Sequence, residues 1–440
     1  MSELGQRAPE MTTSLPGPEG LRWVESLART ECPSLTTRRA RRAERSGASH
    51  DPIVWDRARG VNVVDVDGNV YVDLVGAFGV ATVGHAHPTV VEAVQRQAAR
   101  LPHAMGDVHP SRPKLELLEA LAALAPFDES RIVLGLNGAD ALAAALKTAV
   151  LATHKPGVIA FEGGYHGLMY GPLSICGYGA AFRAPFAAQL NPHVAFAPFP
   201  RTERQLQATL ERVDEVFADD VGAVVVEPAL GRGGVVFPPE GLLPALAERC
   251  RARGALLIVD EIFAGLGRTG ERWAHASSRA VPDLICAGKA LGGGLPVSAC
   301  IGRADAMAAW GDPEGAAIHT ATFAGNPLAC RAALAALAVV EAEGLIERAR
   351  TVGATWRDEL HQRVGALPGV VEVRGRGLMI GVELEDGDRT LALVQTLLER
   401  GWITLPAGAS GEVLQLTPPL VVDPALLGLF SSTLAELLEV

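Results

Sequence analysis

One stretch in the second half of the chain constrains the fold more than any other. It contains the short apolar run 256–259, which is typical of a buried parallel strand, with Asp260 directly after it. A second apolar run, 283–286, leads to Lys289 and then to a series of glycines. Open α/β sheets bind their ligands at the carboxyl ends of the strands. The stretch therefore predicts a ligand site that includes a carboxylate and a lysine.

Asp260 and Lys289 together favour one cofactor. Pyridoxal phosphate forms a Schiff base with a lysine amine, and it needs an anion beside its ring nitrogen so that the protonated ring can accept electrons. A carboxylate after one buried strand and a lysine after the next supply both groups. The alternative interpretation is a surface lysine after an ordinary strand and an acid that caps a helix, and Lys289 alone does not decide between the two.

The whole stretch resembles the class III aminotransferases, also called subgroup II. In that family an apolar run is followed by Asp-Glu, Gly-x-Gly-Arg-Thr-Gly, Pro-Asp and Gly-Lys-x-Leu-Gly-Gly-Gly-x-Pro, in this order. The chain carries each element, at residues 260–261, 265–270, 282–283 and 288–296. The resemblance covers essentially residues 17–440. It implies the type I pyridoxal phosphate enzyme fold, an α/β fold with a mostly parallel central sheet in a large domain and a smaller α/β domain.

The domain organisation follows from this resemblance and from local patterns. Residues 1–17, rich in proline, glycine and polar residues, are expected to form a flexible tail. Residues 18–75 would join the small domain, 76–327 would form the large cofactor-binding domain, and 328–440 would complete the small domain. Apolar and polar residues alternate on both sides of the Asp67-Gly68 turn, which predicts a β-hairpin over residues 61–74.

A candidate phosphate site lies in residues 131–149, whose pattern predicts a strand, a glycine turn and a helix. The amides of Gly138 and Ala139 would point from the helix N-terminus toward an anion. The family usually has Ser-Gly-x-Glu-Ala here, whereas this chain has Asn-Gly-Ala-Asp-Ala from Asn137 onward. Phosphate binding would then depend on backbone donors. Without the resemblance, a purely structural strand–turn–helix is the alternative.

The resemblance also implies which residues surround the cofactor ring. Tyr165, in a Tyr-His-Gly motif, would stack on one face of the ring and Ile262 would pack on the other. Asp260 would keep the ring nitrogen protonated. His166 would lie beside the cofactor, although an ordinary packed histidine is an equal alternative. Phe263 departs from the family pattern, because many members have a glutamine there that bonds the cofactor's phenolic oxygen.

Four further residues are candidates for substrate binding. Phe78 corresponds to a residue on the substrate side of the cofactor, with an ordinary core aromatic as the alternative. Glu227 matches a glutamate that pairs with a mobile arginine in members that use two carboxylate substrates. Gln415 stands in that arginine's place and cannot make a charged fork to a carboxylate. Either Arg232, the nearest candidate cation, takes over, or the enzyme handles its acceptor differently.

The segment 318–327 matches the family's His-x-x-Thr-Phe-x-Gly-Asn-Pro. In the family this threonine, here Thr322, reaches the phosphate of the neighbouring subunit's cofactor. The resemblance therefore implies a homodimer. Without it, Thr322 would be an ordinary loop residue.

The expected reaction is amino transfer. Lys289 would hold the cofactor covalently until a donor amine displaces it, and the freed lysine would then move a proton between substrate and cofactor. A keto acid or aldehyde would take the amine back. Segments 15–18 and 231–234 look most like the 4-aminobutyrate and ω-amino group branch, which favours an ω-amino acid or amine as donor. A racemase or epimerase of amino acids or amino-lactams on the same scaffold is the alternative, because of Gln415.

A cofactor-binding regulator that has lost turnover is a third interpretation, against which the intact Asp260 and Lys289 argue.

The 440 residues, of which 48% are hydrophobic, suffice for two or three domains with a large core. A formal net charge of -11 gives no basic footprint for nucleic acid. The basic run 38–45 could bind RNA or another anion, but a solvated helix face or a subunit contact is favoured.

Composition also bears on the compartment. The N-terminus lacks the pattern of a secretory signal, and no uncharged apolar run is long enough to span a bilayer, so a cytoplasmic enzyme without a membrane contact is expected. The six cysteines are scattered, and their spacing does not resemble that of metal ligands. We therefore expect reduced thiols and no metal.

Overall fold

The computed structural model describes residues 4–47, 50–311 and 316–439. The chain divides into two compact units. One combines the chain up to His87 with the chain from Glu347 onward, and the other is Pro88–Ile346. The sequence had suggested boundaries at residues 76 and 327, so the segment 76–87 and the helix after residue 327 belong to different units from those expected. None of the described helices is long and apolar enough to cross a bilayer.

Strands are numbered in chain order. They are β1 (Trp55–Arg59), β2 (Asn62–Asp65), β3 (Val70–Asp73), β4 (Ser130–Gly135), β5 (Gly157–Phe161), β6 (Val194–Ala197), β7 (Val221–Val226), β8 (Leu256–Asp260), β9 (Leu284–Ala287), β10 (Ser298–Arg303), β11 (Val370–Arg376), β12 (Met379–Leu384), β13 (Trp402–Ile403), β14 (Leu405–Ala407) and β15 (Val413–Leu416).

Helices are numbered in the same way. They are α1 (Pro18–Thr30), α2 (Pro33–Ser46), α3 (Gly76–Gly79), α4 (Pro88–Arg100), α5 (Arg112–Leu124), α6 (Gly138–Thr153), α7 (Tyr170–Ser174), α8 (Ala180–Arg183), α9 (Glu203–Val216), α10 (Leu242–Arg253), α11 (Ala304–Met307), α12 (Pro327–Ala342), α13 (Leu345–Val364), α14 (Gly387–Glu399) and α15 (Pro424–Leu438). Short 3₁₀ helices lie at Ala184–Gln189, Ala274–Ser278, Lys289–Gly292 and Ala308–Gly311.

Within its described residues, the unit Pro88–Ile346 holds a seven-stranded sheet in the order β4-β10-β9-β8-β7-β5-β6. Strands β6, β5, β7, β8 and β9 pair in parallel, and β10 runs antiparallel to both of its neighbours. Strands β7, β8 and β9 are buried along their whole length, which explains their continuous apolar sequences. The predicted α/β fold with a mostly parallel central sheet is confirmed.

Both faces of this sheet are covered. Leu257 packs into a core with α9 and α10, whereas the next residue, Ile258, packs into a core with α6 on the opposite face. Successive side chains of a strand point to opposite faces, so a strand covered on both sides needs apolar residues at every position. Asn137 caps α6, since its side chain accepts a hydrogen bond from the amide of Asp140.

The other unit holds two sheets in its described residues, with strand orders β1-β2-β3-β13 and β11-β12-β15-β14. Strands β2 and β3 form the predicted antiparallel hairpin, with Val63 opposite Tyr71. The N-terminal segment is attached to this hairpin. The amides of Arg7 and Thr12 donate to the side-chain oxygens of Asn62 and Asn69 at 2.8 Å.

This attachment differs from the flexible tail expected for residues 1–17, of which 1–3 lie outside the described residues. The side chains of Asn62 and Asn69 are fully buried and need partners, and the backbone of the N-terminal segment supplies them. A composition rich in proline and glycine gives no sign of such partners.

Candidate active site

The candidate site lies at the carboxyl ends of the parallel strands in the unit Pro88–Ile346. Tyr165 and His166 follow β5, Glu227 follows β7, Asp260 ends β8, and Lys289 follows β9. Parallel neighbours end at the same edge of a sheet, so residues from four separate parts of the sequence meet in one region.

Asp260 and His166 form a buried pair. Oδ2 of Asp260 accepts a hydrogen bond from Nδ1 of His166 at 2.8 Å, and Oδ1 accepts one from the amide of Ile262 at 3.0 Å. Burial alone would lower the pKa of His166. The hydrogen bond and charge of Asp260, together with the charge of Glu227, outweigh that effect, so the pKa of His166 is raised. The carboxylate is thus held in one orientation.

Glu227 connects two loops. Its Oε1 accepts a hydrogen bond from the amide of Tyr165 at 2.8 Å, and its Oε2 accepts one from the amide of Gly231 at 3.0 Å. Burial raises the pKa of Glu227 to about 7; Asp260 adds to the rise, while His166 and the two amides oppose it. Both carboxylate oxygens are therefore used to hold the loops that follow β5 and β7.

Lys289 has an unusual backbone and an unusual side-chain environment. Its φ is +44°, in the left-handed region that non-glycine residues rarely adopt, at the start of a 3₁₀ helix. Its Nζ lies 4.5 Å from the ring centroid of Phe263. Burial lowers the pKa of Lys289, and the charge of Arg232 lowers it further, against Asp260 and Glu227. A lowered pKa increases the fraction of neutral, nucleophilic amine.

The N-terminus of α6 comes close to Ile262. A Cβ at position 138 would lie 2.7 Å from Cδ1 of Ile262, so only glycine fits there without a shift. A Cβ at position 167 would likewise lie 2.7 Å from the Cβ of Ala139. Gly138 and Ala139 are the first two residues of the helix, and amides at this position have no acceptor in a preceding turn.

Arg232 lies among three aromatic rings. Its Cζ is 4.6 Å from the ring centroid of Tyr165, 4.8 Å from that of Tyr178 and 5.7 Å from that of Phe182. We call Tyr165, Tyr178 and Phe182 the aromatic cage. Tyr178 contacts each of the other two rings, at 6.1 Å to Tyr165 and 5.8 Å to Phe182 between centroids. Tyr165 and Arg232 lie on the two loops that Glu227 joins through its hydrogen bonds.

Three further candidate residues lie in other segments of the chain. Thr322 is exposed in the loop before α12. Gln415 and Phe78 belong to the other unit. There Gln415 is buried in β15, and no described residue forms a hydrogen bond with its Nε2. Nothing in the sequence around Gln415 indicated an unsatisfied amide.

Phe78 lies in a left-handed turn. The four residues of α3, Gly76 to Gly79, all have positive φ, including +48° at Ala77 and +62° at Phe78. Each non-glycine residue in this conformation costs roughly 1–2 kcal/mol. The buried carboxylate of Asp73 holds the turn by accepting hydrogen bonds from the amides of Val75 and Ala77 at 2.9 and 2.8 Å. Phe78 is 69% exposed, which argues against the core-aromatic alternative.

Sequence reasoning missed several residues of this region. Tyr178 and Phe182 lie in a stretch rich in glycine and alanine, with no spacing that points to Arg232. Glu261 was expected only as part of a motif. Its Oε1 accepts a hydrogen bond from Nδ1 of His275 at 2.7 Å, and both side chains are buried. This second carboxylate–histidine pair anchors the segment after β8 rather than the reactive groups.

The arrangement fits pyridoxal phosphate. The cofactor requires an amine, an anion for its ring nitrogen and donors for its phosphate. The unit supplies Lys289 with a lowered pKa, a buried Asp260 whose orientation is fixed, and a helix N-terminus at Gly138. Because Gly138 has no Cβ, the helix backbone can lie close to Ile262 beside these groups.

Comparison with known proteins identifies the family. The family model described as "Aminotransferase class-III" matches residues 44–438. The chain is 39% identical to the acetylornithine aminotransferase of Methanopyrus kandleri, over 85% of this chain and 91% of that protein. It is 32% identical to the 4-aminobutyrate aminotransferase of Mycobacterium leprae, over 96% of each chain.

A solved structure agrees. The ornithine aminotransferase of Toxoplasma gondii, which has pyridoxal phosphate at partial occupancy in its active site, superposes with a TM-score of 0.82 at 29% identity, covering 97% of this chain and 95% of that one. The comparisons give no support to the racemase or epimerase alternative. Amino-group transfer is the activity, pyridoxal 5'-phosphate is the cofactor, and the chain belongs to the class III aminotransferase family.

Proposed function

We propose that this enzyme moves an amino group from an ω-amino acid or amine to a keto acid or aldehyde, with Lys289 as the residue that holds the cofactor. The observation that carries the proposal is the position of Asp260 and Lys289 at the ends of neighbouring parallel strands. The pyridoxal phosphate ring supplies an electron-accepting group when bound.

The remaining contacts to the cofactor follow from the cluster. Asp260, oriented by His166, faces the ring nitrogen. The amides of Gly138 and Ala139 bind the phosphate. Ile262 and Tyr165 hold the two faces of the ring. The packing of Ile262 against Gly138 supports this assignment, because it sets the ring site beside the phosphate site.

The Nζ of Lys289 would also accept and return the proton at the amine-bearing carbon of the substrate. Its lowered pKa supports this role, because a neutral amine can accept a proton near neutral pH. Phe263, whose ring faces Nζ, replaces the polar side chain that many members have at this position and keeps the amine in apolar surroundings.

The residues proposed for substrate binding are Arg232, Glu227, Phe78 and Gln415. The exposed ring of Phe78 supports a contact with substrate, because a strained turn that displays an aromatic ring is typical of a functional position. The ω-amino preference is supported by residues 231–234 and by the similarity to the 4-aminobutyrate aminotransferase of Mycobacterium leprae.

The proposal includes a homodimer in which Thr322 reaches the neighbouring subunit's cofactor. Thr322 is exposed, and so are the nearby apolar side chains of Met105, Val108 and Phe323, at 58%, 67% and 57%. Exposed apolar residues of this size favour a subunit contact. We also propose a cytoplasmic location, which the free thiols support; five of the six are buried.

Replacement of Lys289 by alanine tests the central assignment. The wild-type enzyme loaded with pyridoxal phosphate should be yellow after gel filtration, and its absorption should change to that of the pyridoxamine form when 4-aminobutyrate is added. Lys289→Ala should neither retain the cofactor covalently after borohydride reduction nor convert the amine. Lys155→Ala, at a half-buried lysine of the same unit whose Nζ donates a hydrogen bond to the carbonyl of Arg253, is the control and should behave as wild type.

Two results would refute the proposal. One is a Lys289→Ala enzyme with full activity. The other is catalytic formation of the mirror-image amino acid from a single enantiomer in the absence of any keto acid.

A further inference from the structure

We propose that Arg232, held by the aromatic cage, is a fixed anchor for the carboxylate of the substrate, and that the enzyme therefore selects amino donors that carry a carboxylate over amines that lack one. This inference rests on the proposed function and narrows its substrate class.

The guanidinium group of Arg232 is held among three aromatic rings. Three rings lie within 5.7 Å of Cζ of Arg232, and the rings of Tyr165 and Tyr178 meet edge to face at 89°. Cations are attracted to the faces of aromatic rings, so the cage holds the side chain in a narrow range of orientations. A pre-oriented guanidinium loses little freedom when a ligand binds.

In the described part of the chain, the positive charge of Arg232 is not balanced by a neighbouring carboxylate. Arg232 is half-buried, and among the residues that the structure describes no carboxylate forms an ion pair with it. Glu227 is the nearest candidate along the chain, but its two oxygens accept hydrogen bonds from the amides of Tyr165 and Gly231. A partly buried cation without an anion attracts one from solution, and a guanidinium binds a carboxylate with two parallel hydrogen bonds.

Arg232 lies near Lys289, the residue proposed to hold the cofactor. The positive charge of Arg232 contributes to the lowered pKa of Lys289, behind the effect of burial. The two cations therefore lie within electrostatic range of each other. A substrate whose carboxylate binds Arg232 brings its amine end into the neighbourhood of Lys289, and its negative charge offsets the repulsion between the two cations.

The loop that carries Arg232 is held by several contacts. Glu227 fastens the loop that carries Tyr165 to the loop that carries Arg232, so one ring of the cage and the cation are held by the same carboxylate. Gly231 has no space for a side chain, because a Cβ there would lie 2.7 Å from Cδ1 of Phe263. The loop is therefore packed against its surroundings immediately before Arg232. These contacts favour an anchor that stays in place.

The test compares Arg232→Gln and Arg232→Lys with wild type. The first readout is binding of valerate, an unreactive carboxylate, to the cofactor-loaded enzyme by titration calorimetry. The second is the ratio of the rates with which 4-aminobutyrate and butylamine convert the cofactor to its amine form. Arg253→Gln is the matched control, since Arg253 lies 4.6 Å from the ring centroid of Phe217 in the same unit, outside the cage.

For Arg232→Gln we expect valerate binding to weaken by about 10- to 100-fold, and the rate ratio to fall by a similar factor, because a charge-assisted hydrogen bond is lost. Arg232→Lys keeps the charge but loses the planar fork, so an intermediate loss is expected. Tyr178→Leu opens the cage and should weaken valerate binding by about 3- to 10-fold. Arg253→Gln should leave both readouts at the wild-type values.

The inference is overturned if both readouts of Arg232→Gln stay within about twofold of wild type, or if Arg253→Gln has an equal effect. Failure of the proposed function gives a different result: neither amine would convert the wild-type cofactor. Valerate binding would still report on Arg232 in that case. Far-ultraviolet circular dichroism verifies folding, and Arg232→Lys provides the second variant if Arg232→Gln does not fold.

Discussion

Oδ2 of Asp260 lies 2.8 Å from Nδ1 of His166, and both side chains are almost completely buried. The strand β8 delivers the carboxylate, and the loop after β5 delivers the imidazole. A buried ion pair of this kind gives strong orientation because neither partner can turn to water. Removal of one partner leaves the other charged and desolvated.

The first prediction follows from this pair. His166→Leu should lower the free energy of unfolding of the apoenzyme by about 3 kcal/mol, because Asp260 would remain buried without its partner. Urea denaturation measures the change. His193→Leu is the control, because His193 pairs with Asp220 at 3.0 Å on the surface, with side chains 51% and 47% exposed. An exposed pair contributes about 0–1 kcal/mol. Equal losses in the two variants would contradict the prediction.

The second prediction concerns pH. Burial raises the pKa of Glu227 from 4.5 to about 7, so the folded protein binds a proton that the unfolded chain has released between these values. The stabilising contribution of this group is therefore complete below about pH 4.5 and disappears as the pH rises through 7.

Glu227→Gln should remove this part of the pH dependence. The free energy of unfolding of wild type should fall by about 3 kcal/mol between pH 4.5 and 8 on account of Glu227, and the variant should show a correspondingly smaller fall. Denaturation series at several pH values measure the two slopes. Parallel profiles would show that Glu227 titrates as it does in the unfolded chain.

The third prediction concerns the amine of Lys289. The charge of Arg232 lowers the pKa of Lys289, so Arg232→Gln should raise it toward its ordinary value. The pH dependence of lysine acetylation in the apoenzyme, followed by peptide mass spectrometry, measures the shift. The exposed Lys147 in the same samples serves as the internal control. An unchanged midpoint for Lys289 would place Arg232 out of electrostatic range.

The fourth prediction tests the contact between Gly138 and Ile262. Gly138→Ala should destabilise the protein by about 1–3 kcal/mol and weaken retention of pyridoxal phosphate, because its Cβ would lie 2.7 Å from Cδ1 of Ile262. Ile262→Val removes that Cδ1 and should recover part of the loss, which a double-mutant cycle measures. Gly171→Ala, with its nearest neighbour at 3.8 Å, is the neutral control.

The fifth prediction tests the shared site. Thr322→Glu should abolish cofactor binding in the homodimer, because a carboxylate would face the neighbouring subunit's phosphate. Mixed dimers of Lys289→Ala and Thr322→Glu should regain activity, since one of their two sites combines an intact Lys289 with an intact Thr322. Co-expression with two affinity tags isolates the mixed dimer. An inactive mixed dimer would mean that each site is built within one chain.

Much of the fold was predictable because its signals are local. Strands β7 and β8 are continuous apolar runs, and the hairpin of β2 and β3 has alternating residues around a turn. The attachment of the N-terminal segment was not predictable, because it depends on the buried amides of Asn62 and Asn69, which lie far along the chain. The left-handed turn at Phe78 was hidden for a similar reason, since Asp73 supports it through hydrogen bonds.

The sequence by itself determined the chemistry of this protein: a carboxylate and a lysine follow two buried strands, and those strands are readable because burial on both faces demands unbroken apolar residues. Only the tertiary structure decided which side chains surround these groups. The rings of the cage come from the connection between β5 and β6, Arg232 comes from the loop after β7, and Glu227 joins the loop that carries Tyr165 to the loop that carries Arg232. Their meeting depends on the spatial order of the strands, which no local pattern of residues records.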